Sequence, residues 1–472
     1  MIDEGMYTPF RFREIGKELM ITNEVGDFDF FKKDVINRFF DEKLTVEEES
    51  KFQNLSIKLN EESKWRLYSL VKRAKIKPIS GQRKINYLIV IPTLRCDLSC
   101  TYCQVSSASL TAGGYDWDEQ HLIQFANFLK NLDLDYVKVE FQGGEPTVRI
   151  DLIKKIIKIC EEHSKSCDFV ICSNITNLSN EFKSLIERQD IQISTSIDGP
   201  IATMTKNRTF DDALSKRIFD NFKWIIKTHG PEKISALPTV TEQQINDPES
   251  LIDCYYELGF ESIFLRPVNY MGFARKQHTE ISQQIDDWNK FYIRALEYIK
   301  EINKKRYMEE FYTATIVRSI FSKEISGFVN YRSPSGYLND YCVIDFDGQI
   351  YPEDEARMLS RIKHVDLSVG NLADGFDEEK IKQLNQSAIS QVNQDCIHCA
   401  YMPFCGIDII DDMSRYRRFD VIKKDTWFCN RQTFIFDFLF SKVATQDRSW
   451  MDIFLRWIAR STDSSDAYEL LQ

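Results

Sequence analysis

The chain alternates short β-type runs with longer amphipathic segments from Lys84 to about Val268. Segments between the runs repeat apolar residues at helical spacing, as Leu152, Ile153 and Ile156 do. Such strand–helix units predict parallel strands joined by right-handed crossovers. The pattern allows a partial barrel or a doubly wound open sheet, and in both folds ligands bind at the carboxyl ends of the strands. The candidate strands are Ile85–Ile91, Tyr136–Phe141, Phe169–Ser173, Ile191–Ile197, Ile234–Val240 and Ser262–Pro267.

Three cysteines follow the first candidate strand. Cys96, Cys100 and Cys103 lie in the run RCDLSCTYC, and the next cysteine is Cys160. Thiolates select iron–sulfur clusters, and three of them can hold three irons of a four-iron cluster. One iron would then stay open for a substrate or a cofactor. The alternatives are a zinc knuckle or a group of core cysteines, although zinc loops more often use paired C-x2-C spacings.

The spacing C-x3-C-x-aromatic-C after an apolar strand resembles the signature of radical S-adenosylmethionine (SAM) enzymes. The resemblance implies an α/β fold, a partial (β/α)6 TIM-like barrel over residues 84–310, and a [4Fe-4S] cluster whose open iron is chelated by SAM. It also implies reductive cleavage of SAM to a 5′-deoxyadenosyl radical, which removes a hydrogen atom from a substrate. Tyr102, between two of the cysteines, is predicted to contact the adenine.

The second candidate strand ends in the run QGGEP. Paired glycines let a backbone approach a ligand closely, and a carboxylate accepts hydrogen bonds from an ammonium group. The run resembles the Gly-Gly-Glu-Pro motif of the family, which implies that Gly143, Gly144 and Glu145 bind the methionyl amino group of SAM. Gln142 is predicted either to face the substrate or to have a structural role.

The fourth strand leads into the run STSIDGP, with Arg208 following. This resembles a segment of peptide-modifying radical SAM enzymes that meets the carboxylate and ribose of SAM, which implies these roles for Ser196, Asp198 and Arg208. Many relatives have His-Asp before the arginine, where this chain has Met204 and Thr205. A surface cation is therefore the alternative for Arg208.

Two other strand ends supply weaker candidates. Ser173 and Asn174 end the third strand and are small polar residues suited to ribose contacts. Leu265, near the end of the sixth strand, is predicted to pack against the adenine.

A second group of cysteines, Cys396, Cys399, Cys405 and Cys429, lies in a polar region. Four thiolates can hold structural zinc or an iron–sulfur cluster. The group resembles the SPASM extension of peptide maturases, here over residues 335–435, which adds auxiliary four-iron clusters.

The chain departs from the full SPASM pattern of seven cysteines and two clusters. Cys342 is retained, but Glu353 and Ile409 stand where two further cysteines are expected. Both absent thiols belong to the inner auxiliary cluster. The sequence therefore predicts one auxiliary [4Fe-4S] cluster, redox-active or structural, with Cys342 as a vestige or a free thiol. Cys160, Cys167, Cys172 and Cys254 are predicted to be small core residues.

Composition limits the class of protein. A chain of 472 residues is expected to form two or three domains. Its net charge of −11 without a Lys/Arg-rich block argues against a nucleic-acid partner, and its apolar runs are too short for a membrane span. Twelve cysteines without a signal peptide predict metal ligation in a reducing cytoplasm.

The segments on either side of the barrel are predicted to pack against it or to bind its substrate. Residues 1–80 contain two short strands, Phe10–Arg13 and Glu18–Thr22, and loosely resemble small modules that capture leader peptides; a cap that closes the barrel is the alternative. Residues 436–472 are predicted to end in a helix whose apolar face, with Trp450 and Trp457, docks onto the body.

The residues of these motifs most resemble those of the His-Xaa-Ser system radical SAM maturases, B-type. That resemblance implies a peptide or protein substrate, side-chain modification such as a crosslink or an oxidation, and an external electron donor of flavodoxin or ferredoxin type. A radical SAM dehydrogenase acting on a small molecule and a non-catalytic metal-binding scaffold are the alternatives.

Overall fold

The computed structural model describes residues 7–59, 64–75, 84–269, 271–277, 284–322, 332 and 335–460. The predicted outer limits at residues 80 and 472 lie outside these ranges, and the predicted domain boundaries stay predictions. None of the helices in the described ranges is both long enough and apolar enough to cross a membrane.

The N-terminal region is a small antiparallel sheet followed by helices. Its strands pair in the order in which they occur, and the third of them extends the two predicted from sequence. The elements are β1 (Phe10–Ile15), β2 (Glu18–Asn23), β3 (Phe28–Lys32), α1 (Val35–Phe40), α2 (Val46–Asn54) and α3 (Lys64–Lys75).

The alternating region follows. Its helices bury the apolar faces that the sequence pattern predicts. The elements are β4 (Tyr87–Thr93), β5 (Arg95–Cys96), β6 (Ala108–Ser109), α4 (Glu119–Leu132), β7 (Tyr136–Gly143), α5 (Ile150–His163), β8 (Ser166–Cys172), α6 (Asn180–Ile186), β9 (Ile191–Thr195), α7 (Ile201–Met204), α8 (Asp212–His229), β10 (Ile234–Ala236), β11 (Thr239–Val240), α9 (Glu242–Asn246), α10 (Pro248–Glu257), β12 (Ser262–Ile263), β13 (Arg266–Pro267), α11 (Ala274–Gln277), α12 (Gln284–Ile302), β14 (Glu309–Glu310) and α13 (Phe311–Phe321).

The C-terminal region is mostly helical. Its last helix buries Trp450 and Trp457, and the Arg318 guanidinium of α13 donates to the Trp457 carbonyl at 2.9 Å. The elements are β15 (Tyr341–Ile344), β16 (Gln349–Tyr351), α14 (Asp354–Arg361), β17 (Gly370–Asn371), β18 (Gly375–Phe376), α15 (Glu378–Ser387), α16 (Ile409–Tyr416), α17 (Trp427–Ala444) and α18 (Arg448–Ala459).

One nine-stranded sheet joins the two larger regions, in the order β10-β9-β8-β7-β4-β15-β16-β17-β18. Strands β10 to β4 are mutually parallel, and β15 adds to β4 in the same direction before the sheet turns antiparallel. The carboxyl ends of six parallel strands therefore meet at one edge. The prediction of an α/β fold built on parallel strands is confirmed.

The fifth and sixth predicted strands are interrupted. Pro238, which has no N–H for a ladder, separates β10 from β11. In the sixth, the Leu265 amide donates to the Glu310 carboxylate at 3.1 Å instead of to a strand. The resulting short pieces pair as β11 with β13 and β12 with β14.

Candidate active site

The three cysteines after β4 line one wall of a cavity of about 1560 Å³. The residues after β7, β8 and β9 line the same cavity, as expected for the carboxyl edge of a parallel sheet. Burial raises the pKa of the Cys96 and Cys100 thiols, and the positive charge of Arg208 opposes this rise at Cys100. A metal that binds these thiols would displace the protons that burial favours.

Long-range hydrogen bonds fix the cysteine loop. Asp97 accepts from Asn174 Nδ2 at 2.6 Å and from the Thr176 hydroxyl at 2.5 Å. The Phe273 amide donates to the Cys103 carbonyl at 3.0 Å, and an added Cβ at Gly272, where φ is +55°, would lie 1.9 Å from the Gln104 carbonyl oxygen. The loop is therefore held from two sides, by the end of β8 and by the segment after β13.

The paired glycines bring the end of β7 against the end of β4. An added Cβ at Gly143 would lie 2.2 Å from the Thr93 carbonyl oxygen, and one at Gly144 would lie 2.4 Å from the carbonyl oxygen of Arg95. The Glu145 amide donates to that same Arg95 carbonyl at 2.8 Å. The glycines thus join the cysteine loop to the second strand, a close backbone contact within the chain itself.

Glu145 is almost fully buried on the cavity wall. Its carboxylate accepts from the Thr147 hydroxyl at 2.6 Å and from the Asn174 amide at 2.7 Å. Burial raises its pKa, and these hydrogen bonds oppose the rise. The side chain is held in place and can receive a cationic group.

Tyr102, Asp198 and Arg208 form a buried chain of hydrogen bonds. The Tyr102 hydroxyl donates to Asp198 Oδ2 at 2.6 Å and accepts from Arg208 Nη1 at 2.6 Å. Arg208 lies in a single π-helical turn, Thr205–Thr209, and is 8% exposed, so the surface alternative is wrong. Arg208 and Tyr102 line the cavity, whereas Asp198 is absent from its wall and fixes Tyr102 from behind.

The other predicted contacts line the cavity too. Ser173 and Asn174 are buried at the end of β8, Ser196 is half-buried after β9, and Leu265 is buried beside β13. Gln142 donates to Glu140 at 2.6 Å. Their roles in binding SAM stay predictions.

Cys172 differs from its prediction as a core residue. It ends β8 on the face that lines the cavity, and its thiol donates to Glu140 at 3.3 Å. The parity of the strand explains this, because Val170 two residues earlier lines the same cavity. Cys160 and Cys254 are buried in the core, and Cys167 is half-buried against it.

The four distal cysteines surround a second cavity of about 270 Å³. Cys396 and Cys399 lie in one turn, with the Cys399 amide donating to the Cys396 carbonyl at 2.9 Å. Cys429 lies in the first turn of α17, capped by Thr426. Burial raises the pKa of all four thiols, that of Cys396 to about 12.

The N-terminal sheet forms part of the wall of this second cavity. Phe12 and Arg13 of β1 line it, and Arg13 donates to both carboxylate oxygens of Asp437, at 2.6 and 2.7 Å. Asp408 and Phe428 line both cavities.

The two positions without the expected cysteines have different surroundings. Ile409 is buried in the core at the start of α16, whereas Glu353 lines the large cavity. Cys342 is fully buried in β15, paired with Leu88 of β4, and lines neither cavity. Packing in the core is enough to explain a cysteine at this position, and no metal is needed.

Residues 90–253 match the family model of the radical SAM superfamily. The chain contains a radical SAM domain. The prediction of a radical SAM enzyme is confirmed at this level.

Relatives share this domain at low identity. The chain is 26% identical over 232 residues to an uncharacterised protein of Methanocaldococcus jannaschii, covering 47% of this chain and 76% of that protein. It is 27% identical over 201 residues to a GTP 3′,8-cyclase of Campylobacter lari, covering 42% of this chain and 58% of that one. The match thus spans little more than half of the cyclase.

Solved structures share the fold more widely. The structure of anSMEcpe with bound AdoMet and Cp18Cys peptide has a TM-score of 0.57 at 17% identity, covering 76% of this chain and 98% of that one. Streptococcus suis SuiB bound to precursor peptide SuiA has a TM-score of 0.51 at 16% identity, covering 87% and 97%. At these sequence identities the likeness shows a shared fold and nothing about function.

The donors in the radical SAM domain fit a four-iron cluster and SAM. No three His, Cys, Asp or Glu side chains in the described ranges are gathered around one point as a single metal ion requires. A four-iron cluster differs because each cysteine binds its own iron. For the anionic end of SAM, Arg208 offers a buried Nε that has no hydrogen-bond partner among the described residues.

Sequence reasoning missed the contacts that hold the domain's cysteine loop. Asp97 lies between two cysteines of the motif, and this position could have indicated its role. Contacts with the cysteine loop are also made by Thr176, Gly272 and Phe273, which are distant in sequence and belong to no recognisable local pattern.

Proposed function

We propose that this protein is a radical SAM maturase that cleaves SAM reductively and modifies side chains of a ribosomally made peptide or protein. One observation carries the proposal: three thiols of a single loop, the Gly-Gly-Glu strand end and a buried arginine share one cavity. A four-iron cluster with SAM, when bound there, would supply a 5′-deoxyadenosyl radical.

The chain's own residues would bind and orient the cofactor. Cys96, Cys100 and Cys103 would hold three irons, Glu145 would accept hydrogen bonds from the SAM ammonium, and Arg208 would donate to its carboxylate. The Tyr102 ring, fixed by Asp198, would limit where the adenine lies.

The size of the cavity supports a peptide substrate. Small-molecule pockets usually measure about 300–1,000 Å³, and this cavity, at about 1560 Å³, has room for SAM and a chain segment. The anSMEcpe and SuiB structures with this fold hold peptides. The finer proposal is a His-Xaa-Ser precursor, on the resemblance of the motifs to the B-type maturases.

The second site is proposed to hold one auxiliary four-iron cluster on Cys396, Cys399, Cys405 and Cys429. All four thiols line one small cavity, and a complete set of four suits a cluster with no open iron. It would exchange electrons or stabilise the fold, and a flavodoxin or ferredoxin would reduce the cluster of the first site.

Formation of 5′-deoxyadenosine tests the enzymatic part of the proposal. Anaerobically reconstituted protein with dithionite and SAM should release 5′-deoxyadenosine, and the Cys96→Ala, Cys100→Ala, Cys103→Ala triple variant should not. Retained cleavage in the triple variant would refute the cluster assignment, and no product from the wild type would favour the scaffold alternative.

Mass spectrometry tests the substrate class. A peptide encoded beside this gene, co-expressed with the protein, should change mass, with a loss of about two mass units for a crosslink or an unsaturation. An unmodified peptide beside a converted small molecule would support the dehydrogenase alternative.

A further inference from the structure

An acidic side chain occupies the place of one absent cysteine. Glu353 is 7% exposed and lines the large cavity. It is the N-cap residue of α14, yet its side chain makes no capping hydrogen bond. A carboxylate at an N-cap usually turns back to the helix amides, so this one is directed elsewhere, toward the cavity.

Two more carboxylates accompany it. Glu355, in the first turn of α14, and Asp408, at the N-cap of α16, line the same cavity. Their neighbours Asp354 and Asp411 also reach the wall, but each has a cation of its own. Those pairs are Asp354 with Arg357 at 2.5 Å and Asp411 with Arg415 at 2.8 Å.

The acidic wall is defined as Glu353, Glu355 and Asp408. Asp408 accepts a capping hydrogen bond from the Asp411 amide at 2.8 Å, whereas the two glutamates have few partners. Glu353 accepts no hydrogen bond from the described residues, while Glu355 has the Asn269 amide at 3.4 Å and a favourable charge from Arg266. A buried carboxylate without a partner on a cavity wall, as Glu353 is, is what a ligand of matching chemistry would satisfy.

Burial and mutual repulsion raise the pKa of Glu353 well above its usual range and that of Glu355 to about 7. Buried like charges are costly unless they are paired. A cation that enters the cavity would relieve this repulsion.

We propose that the acidic wall is a receptor for a positively charged side chain of the substrate, an ammonium or a guanidinium. The inference rests on the proposed function and deepens it by naming a chemical class for the substrate. The carboxylates share the cavity with the cysteine loop, so a cationic residue held there would place its neighbours inside the reaction chamber. They lie along a wall, since no three acidic, His or Cys side chains in the described ranges are gathered as a metal site.

Peptide probes test the receptor. Acetylated, amidated pentapeptides Ala-Ala-Xaa-Ala-Ala, with lysine, arginine or norleucine at the centre, are titrated calorimetrically into the reconstituted protein with SAM. The wild type should bind the lysine and arginine peptides at least about tenfold more tightly than the norleucine peptide, because a charge-assisted hydrogen bond in a buried site exceeds that ratio. In Glu353→Gln the preference should fall below about threefold.

Two controls make the result specific. Glu187→Gln, at an exposed carboxylate on the end of α6, should keep the wild-type preference. Glu355→Gln repeats the test if Glu353→Gln does not fold. Binding of the cationic peptides near pH 7 should also release protons, seen as a heat that changes with the ionisation enthalpy of the buffer.

Several outcomes would overturn the receptor. These are equal or no binding of the lysine and norleucine peptides, an unchanged preference in both glutamine variants, or tight Mn²⁺ binding that Glu353→Gln abolishes. Wild-type 5′-deoxyadenosine formation is measured on the same preparation. If it is present without any lysine preference, this inference fails and the proposed function stands; if it is absent, the proposed function fails.

Discussion

The two cysteine sites differ in the number of thiols and in the space beside them. Three cysteines of one short loop face a cavity of about 1560 Å³, among carboxylates and an arginine that retain unused hydrogen-bonding capacity. Four cysteines from 396 to 429 line a cavity of about 270 Å³, with β1 on part of its wall. The first is called the open site, because three thiols leave one iron of a four-iron cluster without a protein ligand, and the second the closed site, because four thiols complete the set. Space beside an incomplete set of thiols suits substrate chemistry, whereas a complete set in a small cavity suits electron exchange or stability.

Cysteine replacement gives the largest expected contrast. Replacing Cys96, Cys100 and Cys103 with alanine should abolish 5′-deoxyadenosine formation, while replacing Cys396 and Cys399 should leave SAM cleavage measurable. Either group of substitutions should lower the iron content from about eight to about four per chain. Measurement is by iron quantification and chromatography of the product; about twelve irons in the wild type would disprove the single auxiliary cluster.

Gly144→Ala should act on the open site alone. Its Cβ would lie 2.4 Å from backbone carbonyl oxygens, which cannot move without displacing the cysteine loop. SAM cleavage should fall at least about a hundredfold, since misplacement by about 1 Å has such costs. Gly113→Ala is the matched control, because nothing lies within 4 Å of its Cβ. Equal rates in both variants would contradict the role of the close contact.

Tyr102→Phe should weaken the open site less severely. Asp198 loses a donor and Arg208 an acceptor in a buried place, which should lower the free energy of unfolding by about 2 kcal/mol. Cleavage should slow about tenfold as Arg208 loses its orientation. Tyr136→Phe removes an exposed hydrogen bond from the tyrosine hydroxyl to Asp168. It should change neither the free energy of unfolding nor the rate of SAM cleavage. Chemical denaturation and product assays measure both effects.

The acidic wall makes the open cavity sensitive to pH. The folded pKa of Glu353 lies above its usual value of 4.5, so the folded state binds more protons than the unfolded state between the two values. Stability should therefore fall as pH rises from about 4.5 through the folded pKa. Glu353→Gln should flatten this decline in denaturation midpoints measured from pH 5 to 8, and Glu187→Gln should not.

Opening the cover of the closed site should have the smallest effect. Asp437→Asn weakens the bidentate contact with Arg13, and both partners are more than one third exposed, so a loss of about 1 kcal/mol is expected. Lys33→Met, which removes an exposed pair with Glu14, should cost less. Faster removal of iron from the auxiliary cluster by a chelator in Asp437→Asn would show that β1 protects the site.

Local patterns predicted what depends on spacing and alternation. The cysteine loop, the Gly-Gly-Glu strand end and the four regular parallel strands follow from residues near one another in sequence. Arg208 could not be placed this way, because its burial depends on Tyr102, over a hundred positions earlier. Cys172 could have been placed correctly from strand parity. The contact of Gly272 with the cysteine loop depends on the closed fold and leaves no local signal.

Phe428 contributes to the walls of both cavities. It also precedes Cys429, so a shift of that thiol would move this shared wall. A change of volume at this position would alter both compartments at once, by opening a passage for water or by narrowing the space for substrate. Remodelling one chamber at this position therefore constrains what the other can accept.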